Sequence, residues 1–186
     1  VVRRAWNVAL IVLALAAVRP AAAGENAVPF SARSGVEIAT DAARTWAADA
    51  RLVYLENDEA LGPDGTATRW GYLFYSHSRG KARGYSVKNG ALEEAADLGF
   101  DFDAPPVADA WIDSGEALAI AAKKAGTKYC IENGGRLATM LLVRGAFHDD
   151  KPNATTWAVV YAAPGVPSLF VVVDADNRDV VRTWRG

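Results

Sequence analysis

The chain has 186 residues, 51% of them hydrophobic, with 20 Lys plus Arg against 22 Asp plus Glu, which is the composition of a globular protein of one domain or two small ones. A formal charge of −2 supplies no basic field of the kind that draws nucleic acid. One cysteine, Cys130, and two histidines, His77 and His148, exclude an internal disulfide and leave no Cys/His zinc set.

Arg3 and Arg4 precede an apolar run from Val8 to Val18, and Arg19 and Pro20 break it before Ala21-Ala22-Ala23. This is the three-part layout of a secretory signal peptide over 1–23, and the run is too short to span a bilayer, which takes about 20 residues. The expected product begins at Gly24, is exported to the periplasm or the extracellular medium, and keeps no stable membrane anchor.

A first unit is expected over 24–95. Ser34 and Glu37 have capping-box spacing, and Ile38, Ala42 and Trp46, flanked by Ala39 and Ala43, form the apolar stripe of a helix. Arg51 to Leu55 reads as a strand. Trp70 to Tyr75 follows as an aromatic strand and Gly84 to Val87 as a third, turned by Asn89-Gly90, the favoured type I′ pair, into Ala91-Leu92. Gly99, Asp101, Asp103, Pro105 and Pro106 then deny helix and central strand, so 96–112 reads as a linker.

A second unit, 113–186, repeats the order. Asp113 and Glu116 have capping-box spacing, Leu118, Ala121, Ala122 and Ala125 form a stripe, and Gly126 is placed to stop the helix. Strands are expected over Leu137 to Val143, Trp157 to Tyr161, Ser168 to Val173 and Val180-Val181. A Trp opens a central strand in each half, Trp70 and Trp157, which points to an internal duplication. Units this small are marginal alone, so the two are expected to pack together through apolar burial.

Leu169-Phe170-Val171-Val172-Val173-Asp174-Ala175, placed after a small-residue helix and an aromatic meander, resembles the PepSY domain family of peptidase propeptides. The second unit matches through Glu116 to Ala125, Trp157 to Tyr161 and Phe170 to Val181, and departs at Asn177-Arg178, where the family usually has Thr-Gly. In the first unit Val87-Lys88-Asn89-Gly90 stands where the Asp-Ala turn would be. The resemblance implies an α+β fold of two tandem cystatin-like units, each a helix packed on an antiparallel β-meander. It also implies export, usually without catalytic residues, and in some members inhibition or chaperoning of a secreted peptidase.

The chemically densest segment runs from Tyr75 through Ser76, His77 and Arg79 to Lys81, a hairpin tip offering hydroxyls, an imidazole and cations to an anion or peptide carboxylate. It is not a phosphate loop, because Tyr75 stands where the first glycine is needed. It is not a hydrolase triad either, because adjacent strand residues point to opposite faces. Asp174-Ala175-Asp176 opens like a calcium loop, but Arg178, Asp179 and Arg185 occupy positions five, six and twelve, so it reads as a hairpin turn. His148-Asp149-Asp150 reads as a solvated loop, and Glu93-Glu94 and Asp101 with Asp103 as charged loops without a pocket.

No catalytic set, metal set or cofactor motif emerges, and the reading is a non-enzymatic protein-binding module. The Tyr75 to Lys81 loop and Trp184, near the end between Arg182 and Arg185, are its contact candidates. Rival readings are a small-molecule carrier or enzyme with a cavity between helix and sheet, and a structural module with no soluble ligand. For the exported chain, intact-mass measurement should give an N-terminus at Gly24; a product still carrying Val8 to Val18 contradicts the targeting assignment.

Overall fold

A computed structural model describes residues 27–98, 102 and 104–186; the expected cleavage site after Ala23 lies outside them. A 3₁₀ turn, Ala32–Gly35, leads into α1 (Val36–Trp46). Four strands follow: β1 (Arg51–Asn57), β2 (Arg69–Ser76), β3 (Lys81–Lys88) and β4 (Ala91–Asp97). A second helical rod comprises α2 (Ser114–Ala121), a π turn (Ala122–Gly126) and α3 (Thr127–Asn133). It is followed by β5 (Arg136–Arg144), β6 (Thr155–Ala163), β7 (Val166–Asp174) and β8 (Val180–Arg185).

All eight strands belong to one antiparallel sheet, in the order β4-β3-β2-β1-β5-β6-β7-β8. This corrects the expectation of two tandem cystatin-like units, each with its own helix-covered meander. β1 pairs with β5 through Tyr54 opposite Val143, Leu55 opposite Leu142 and Glu56 opposite Leu141, so backbone pairing joins the two halves where apolar packing between separate sheets was expected. Beyond that short ladder, the Asn57 side chain accepts the Met140 N–H at 2.7 Å.

One hydrophobic core runs under both helical layers and contains Trp70 and Trp157, each fully buried. The two indoles meet edge to face at 6.4 Å across the junction of the halves. Burial of an indole N–H demands a partner. Trp70 donates to the Phe30 carbonyl at 2.9 Å and Trp157 to the Ile112 carbonyl at 2.8 Å, so each tryptophan holds the segment that precedes its half's helix.

The helix starts are also tied together. Asp113 Oδ1 accepts from Ser114 N at 2.7 Å and from Arg33 N at 3.0 Å, and Ser114 Oγ accepts from Ala32 N at 3.2 Å. One carboxylate thus satisfies N–H groups at two helix starts, where orphan donors and the helix field favour an anion. The Arg33 guanidinium lies 3.8 Å over the Trp111 ring and donates to the Trp111 carbonyl.

Two local expectations need correction. Ser34 makes no capping bond; Gly35 is the N-cap of α1, and Ser34 Oγ meets Ser31 Oγ at 2.9 Å. Gly126 does not end the second helix. Its φ is −62°, and a Cβ there would stand 2.2 Å from the Tyr161 ring, so this glycine admits an aromatic ring beneath the π turn. The helix ends at Gly134, in the left-handed region at φ +62°. By contrast, Asn89 and Gly90 both have positive φ, 51° and 70°, as the type I′ turn requires.

Substituting Trp70 or Trp157 by Ala should each cost about 3–5 kcal/mol. Because the rings touch, the double variant should lose less than the sum of the two losses, by at least about 0.5 kcal/mol. Denaturant melts of the four proteins measure this, and strict additivity contradicts contact across the junction.

Candidate functional site

The hairpin between β2 and β3 does not present its side chains as one cluster. Ser76 is fully buried and donates to Asp49 Oδ1 at 2.7 Å. Ser78 donates to the same carboxylate through Oγ at 2.9 Å and through its backbone N–H at 2.8 Å. Asp49, in the turn between α1 and β1, therefore organises the hairpin from outside it. The Ser76 hydroxyl, then the two Ser78 donors, hold its carboxyl well below the usual range.

The rest of the hairpin divides between the two sides of the sheet. Arg79 lies 5.4 Å over the Trp46 ring of α1, on the helix side. Lys81 is paired opposite Ser76 and shares its side. Tyr75, half-buried, faces the side without helices, packed with Val53, Leu73 and Ala82, and His77 stands edge-on to its ring at 5.0 Å.

Trp184, on edge strand β8, lies on that same helix-free side. It stacks flat on Phe170 of β7 at 4.8 Å, approaches Phe147 at 6.3 Å and carries Arg182 over its ring at 5.0 Å. The structure thus puts Tyr75 and Trp184 on one face of one sheet, and leaves Ser76, Arg79 and Lys81 on the other. Tyr54 stands between them on this face, with Phe102 edge-on at 6.2 Å. The expected linker thereby becomes a partial cover: Leu98, Phe102 and Ala104 pack on this face, and Trp111 and Ile112 pass into the core on the opposite one.

Beside Trp184, a cleft of about 420 Å³ is lined by His148, Lys151, Asp174 and Arg182 among others. Asp174 is 2% exposed. Burial pushes its carboxyl up, but the Asn177 side chain at 2.9 Å, the Asn177 and Asp176 N–H groups at 3.1 and 3.0 Å, and Lys151 at 3.5 Å prevail and hold it low. His148 Nδ1 accepts the Lys151 N–H at 3.1 Å, which turns Nε2 toward Asp174 at 3.9 Å. Sequence order hid this meeting, since His148 lies on the β5–β6 connection and Asp174 at the end of β7.

A second carboxylate group also escaped the sequence. Glu56 accepts from the Tyr54 hydroxyl at 2.7 Å, and Asp58 accepts from Ser86 and lies 3.5 Å from Arg69. Burial raises both carboxyls, and each gains further from a neighbouring negative charge. Glu93 and Glu94 reach the same Arg69 at 3.1 and 2.9 Å, which makes them ion-pair partners at the sheet edge. Alternation along β1 is the signal that puts Tyr54 and Glu56 on one face. No grouping of three or more His, Cys, Asp or Glu with metal-holding geometry occurs among the described residues.

Because the folded Asp49 carboxyl is depressed, its contribution to stability is complete above the ordinary aspartate range near about 4 and is lost as pH falls through and below it. Asp49→Asn should lower the melting temperature at neutral pH and flatten its decline in acid. Thermal melts between about pH 7 and pH 2.5 test this; an unchanged acid limb contradicts the assigned hydrogen bonds.

No family model matches the chain, and no curated protein matches it. Among solved structures, it resembles a "putative lipoprotein" from Clostridium difficile 630, with a TM-score of 0.53 and 11% identity over 80% of this chain and 90% of that one. At that identity the likeness is one of fold: a single large antiparallel sheet with helices on one side.

Proposed function

We propose that this chain is an exported, non-enzymatic protein-binding module that meets its partner on the helix-free face of its sheet. The observation that carries the reading is the set of half-buried aromatics on that face, from Tyr75 through Tyr54 and Phe102 to Phe147, Phe170 and Trp184. Tyr and Trp give large contact area at small entropic cost and dominate protein interfaces, whereas a solvated sheet face is ordinarily polar. Export is supported by the layout of 1–23 and by the lipoprotein name of the similar structure. Among the described residues, no helix is long and apolar enough to cross a membrane.

The PepSY resemblance supplies the partner class, a secreted peptidase held in the manner of an inhibitor or propeptide. The small-molecule carrier reading finds less support, because the space between helices and sheet is filled by Trp70, Tyr72, Phe74, Tyr129 and Trp157, each at most 1% exposed.

Immobilised mature chain should capture a partner from the secreted proteins of its source. Trp184→Ala and Tyr75→Ala should each weaken capture at least about tenfold, the scale of an aromatic anchor, with folding retained. The double change Arg79→Ala and Lys81→Ala, on the helix side, should leave capture intact. Loss of capture in that double variant alone would move the site to the hairpin tip. Turnover of a substrate that is abolished by His148→Ala would overturn the non-enzymatic reading.

A further inference from the structure

The two edges of the sheet differ in how they are guarded. β4 is exposed along its whole length, and its acids are occupied within the sheet: Glu93 and Glu94 by Arg69, and Asp97 by Arg83 at 3.5 Å. Charged, self-paired edges resist the addition of another strand. On β8 the cations are unsatisfied. Arg178, just before it, pairs with Glu116, but among the described residues no carboxylate lies within ion-pair distance of Arg182 or Arg185. Both guanidiniums instead rest on aromatic rings, Arg182 over Trp184 at 5.0 Å and Arg185 over Tyr129 at 5.1 Å.

The hydrogen-bond phase of β8 is fixed by its end. Ser168 and Gly186 exchange both backbone hydrogen bonds, at 2.9 and 3.1 Å. Antiparallel ladders alternate, and Phe170 lies opposite Trp184 and Val172 opposite Arg182. The N–H and C=O groups of Arg182 and Trp184 therefore turn toward β7. Those of Thr183 and Arg185 turn outward, unpaired among the described residues. The free edge thus offers a row of backbone donors and acceptors, with Arg182 and Trp184 on the helix-free side of that row and Arg185 on the helix side.

We infer that β8 receives an extended, acidic segment of the partner protein as a ninth strand, held by the outward backbone groups of Thr183 and Arg185. Its carboxylates are neutralised by Arg182 and Arg185. Main-chain pairing supplies adhesion in this mode, and side chains on alternate positions supply selectivity. The inference rests on the protein-binding reading and makes it specific. Trp184 is the hinge between the two, because it belongs both to the aromatic face and to the strand that would be extended.

The test is fluorescence anisotropy of the mature chain with a labelled peptide of repeating Glu-Glu-Thr-Thr, whose carboxylates lie on both faces of an extended strand, its lysine counterpart, and a version N-methylated on alternate residues. The acidic peptide should bind saturably and more weakly as salt rises, and the lysine peptide should not bind. N-methylation in one of the two phases should weaken binding at least about tenfold, because it removes donors that the ladder needs. Arg182→Glu with Arg185→Glu should do the same through charge reversal. Thr183→Pro should fold, since its N–H faces outward and proline is tolerated there, and should also lose the peptide.

Equal binding by the charge-reversed chain, or by peptides methylated in either phase, overturns strand addition. So does an absence of peptide binding by the unaltered chain, or association of that chain with itself through β8 in sedimentation. Failure of the peptide while capture of a secreted partner still depends on Trp184 rejects the ninth strand and leaves the protein-binding reading standing. Peptide binding with Trp184-independent capture rejects the aromatic-face reading instead.

Discussion

Everything in this molecule depends on the edge-to-face contact of Trp70 and Trp157 across the β1–β5 junction. The backbone ladder there covers only Tyr54, Leu55 and Glu56 on one side, and short ladders register weakly. Two fully buried indoles, each worth several kcal/mol of burial, supply what the ladder lacks. Their N–H groups then fix Phe30 and Ile112, and these place the starts of both helices. Asp113 closes the arrangement by serving N–H groups of both helix starts at once. Two stretches expected to form separate units thereby make a single layered body whose core draws residues from both.

That merger determines where function can lie. With both helical layers on one side, the other side of an eight-stranded sheet must be dealt with by side chains alone. Leu141, Val143, Ala158 and Val172 are buried there under Phe147, Val181 and Trp184, and Val53, Leu73 and Ala82 under Leu98, Phe102 and Ala104. The cover is partial, and the aromatics that form it remain accessible on their outer surfaces. A face built this way suits a second protein better than water. On the helix side, the space between helices and sheet is filled by buried side chains such as Trp70, Tyr72, Phe74, Tyr129 and Trp157.

The sequence was legible where the local signal and the tertiary outcome agree. Alternation and turn chemistry placed β1, β2, β3, β5, β6 and β7 to within a few residues, and Asn89-Gly90 specified its turn because positive φ at two positions admits few residue pairs. The two edge strands were read only at their starts, and Glu93-Glu94, expected in a charged loop, lie in β4, where pairing with β3 rather than burial sets the strand. It was misleading where a residue acts on a distant partner. Gly126 reads locally as a helix stop, yet its missing side chain accommodates Tyr161, two strands further along the chain. Ser34 fits a capping box, but the first donors of its turn are taken by Ser114 and Asp113 from the other half. No local pattern singles out Asp49, and its role appears only when the β2–β3 hairpin folds back on it. Pairing of β1 with β5 was invisible for the same reason: periodicity tells which face a strand buries, not which edge it joins. The expectation of separate cystatin-like units failed at that step.

The central claim is that one cooperative sheet spans the whole chain, and native-state hydrogen exchange of Trp157→Ala tests it most directly. If the junction couples the halves, the slowest amides of β2 and β3, around Tyr72 and Tyr85, should lose as much protection as those of β6 and β7, because they open only with the whole molecule. If protection falls in β6 and β7 while β2 and β3 keep theirs, the halves unfold independently and the account given for the junction is wrong.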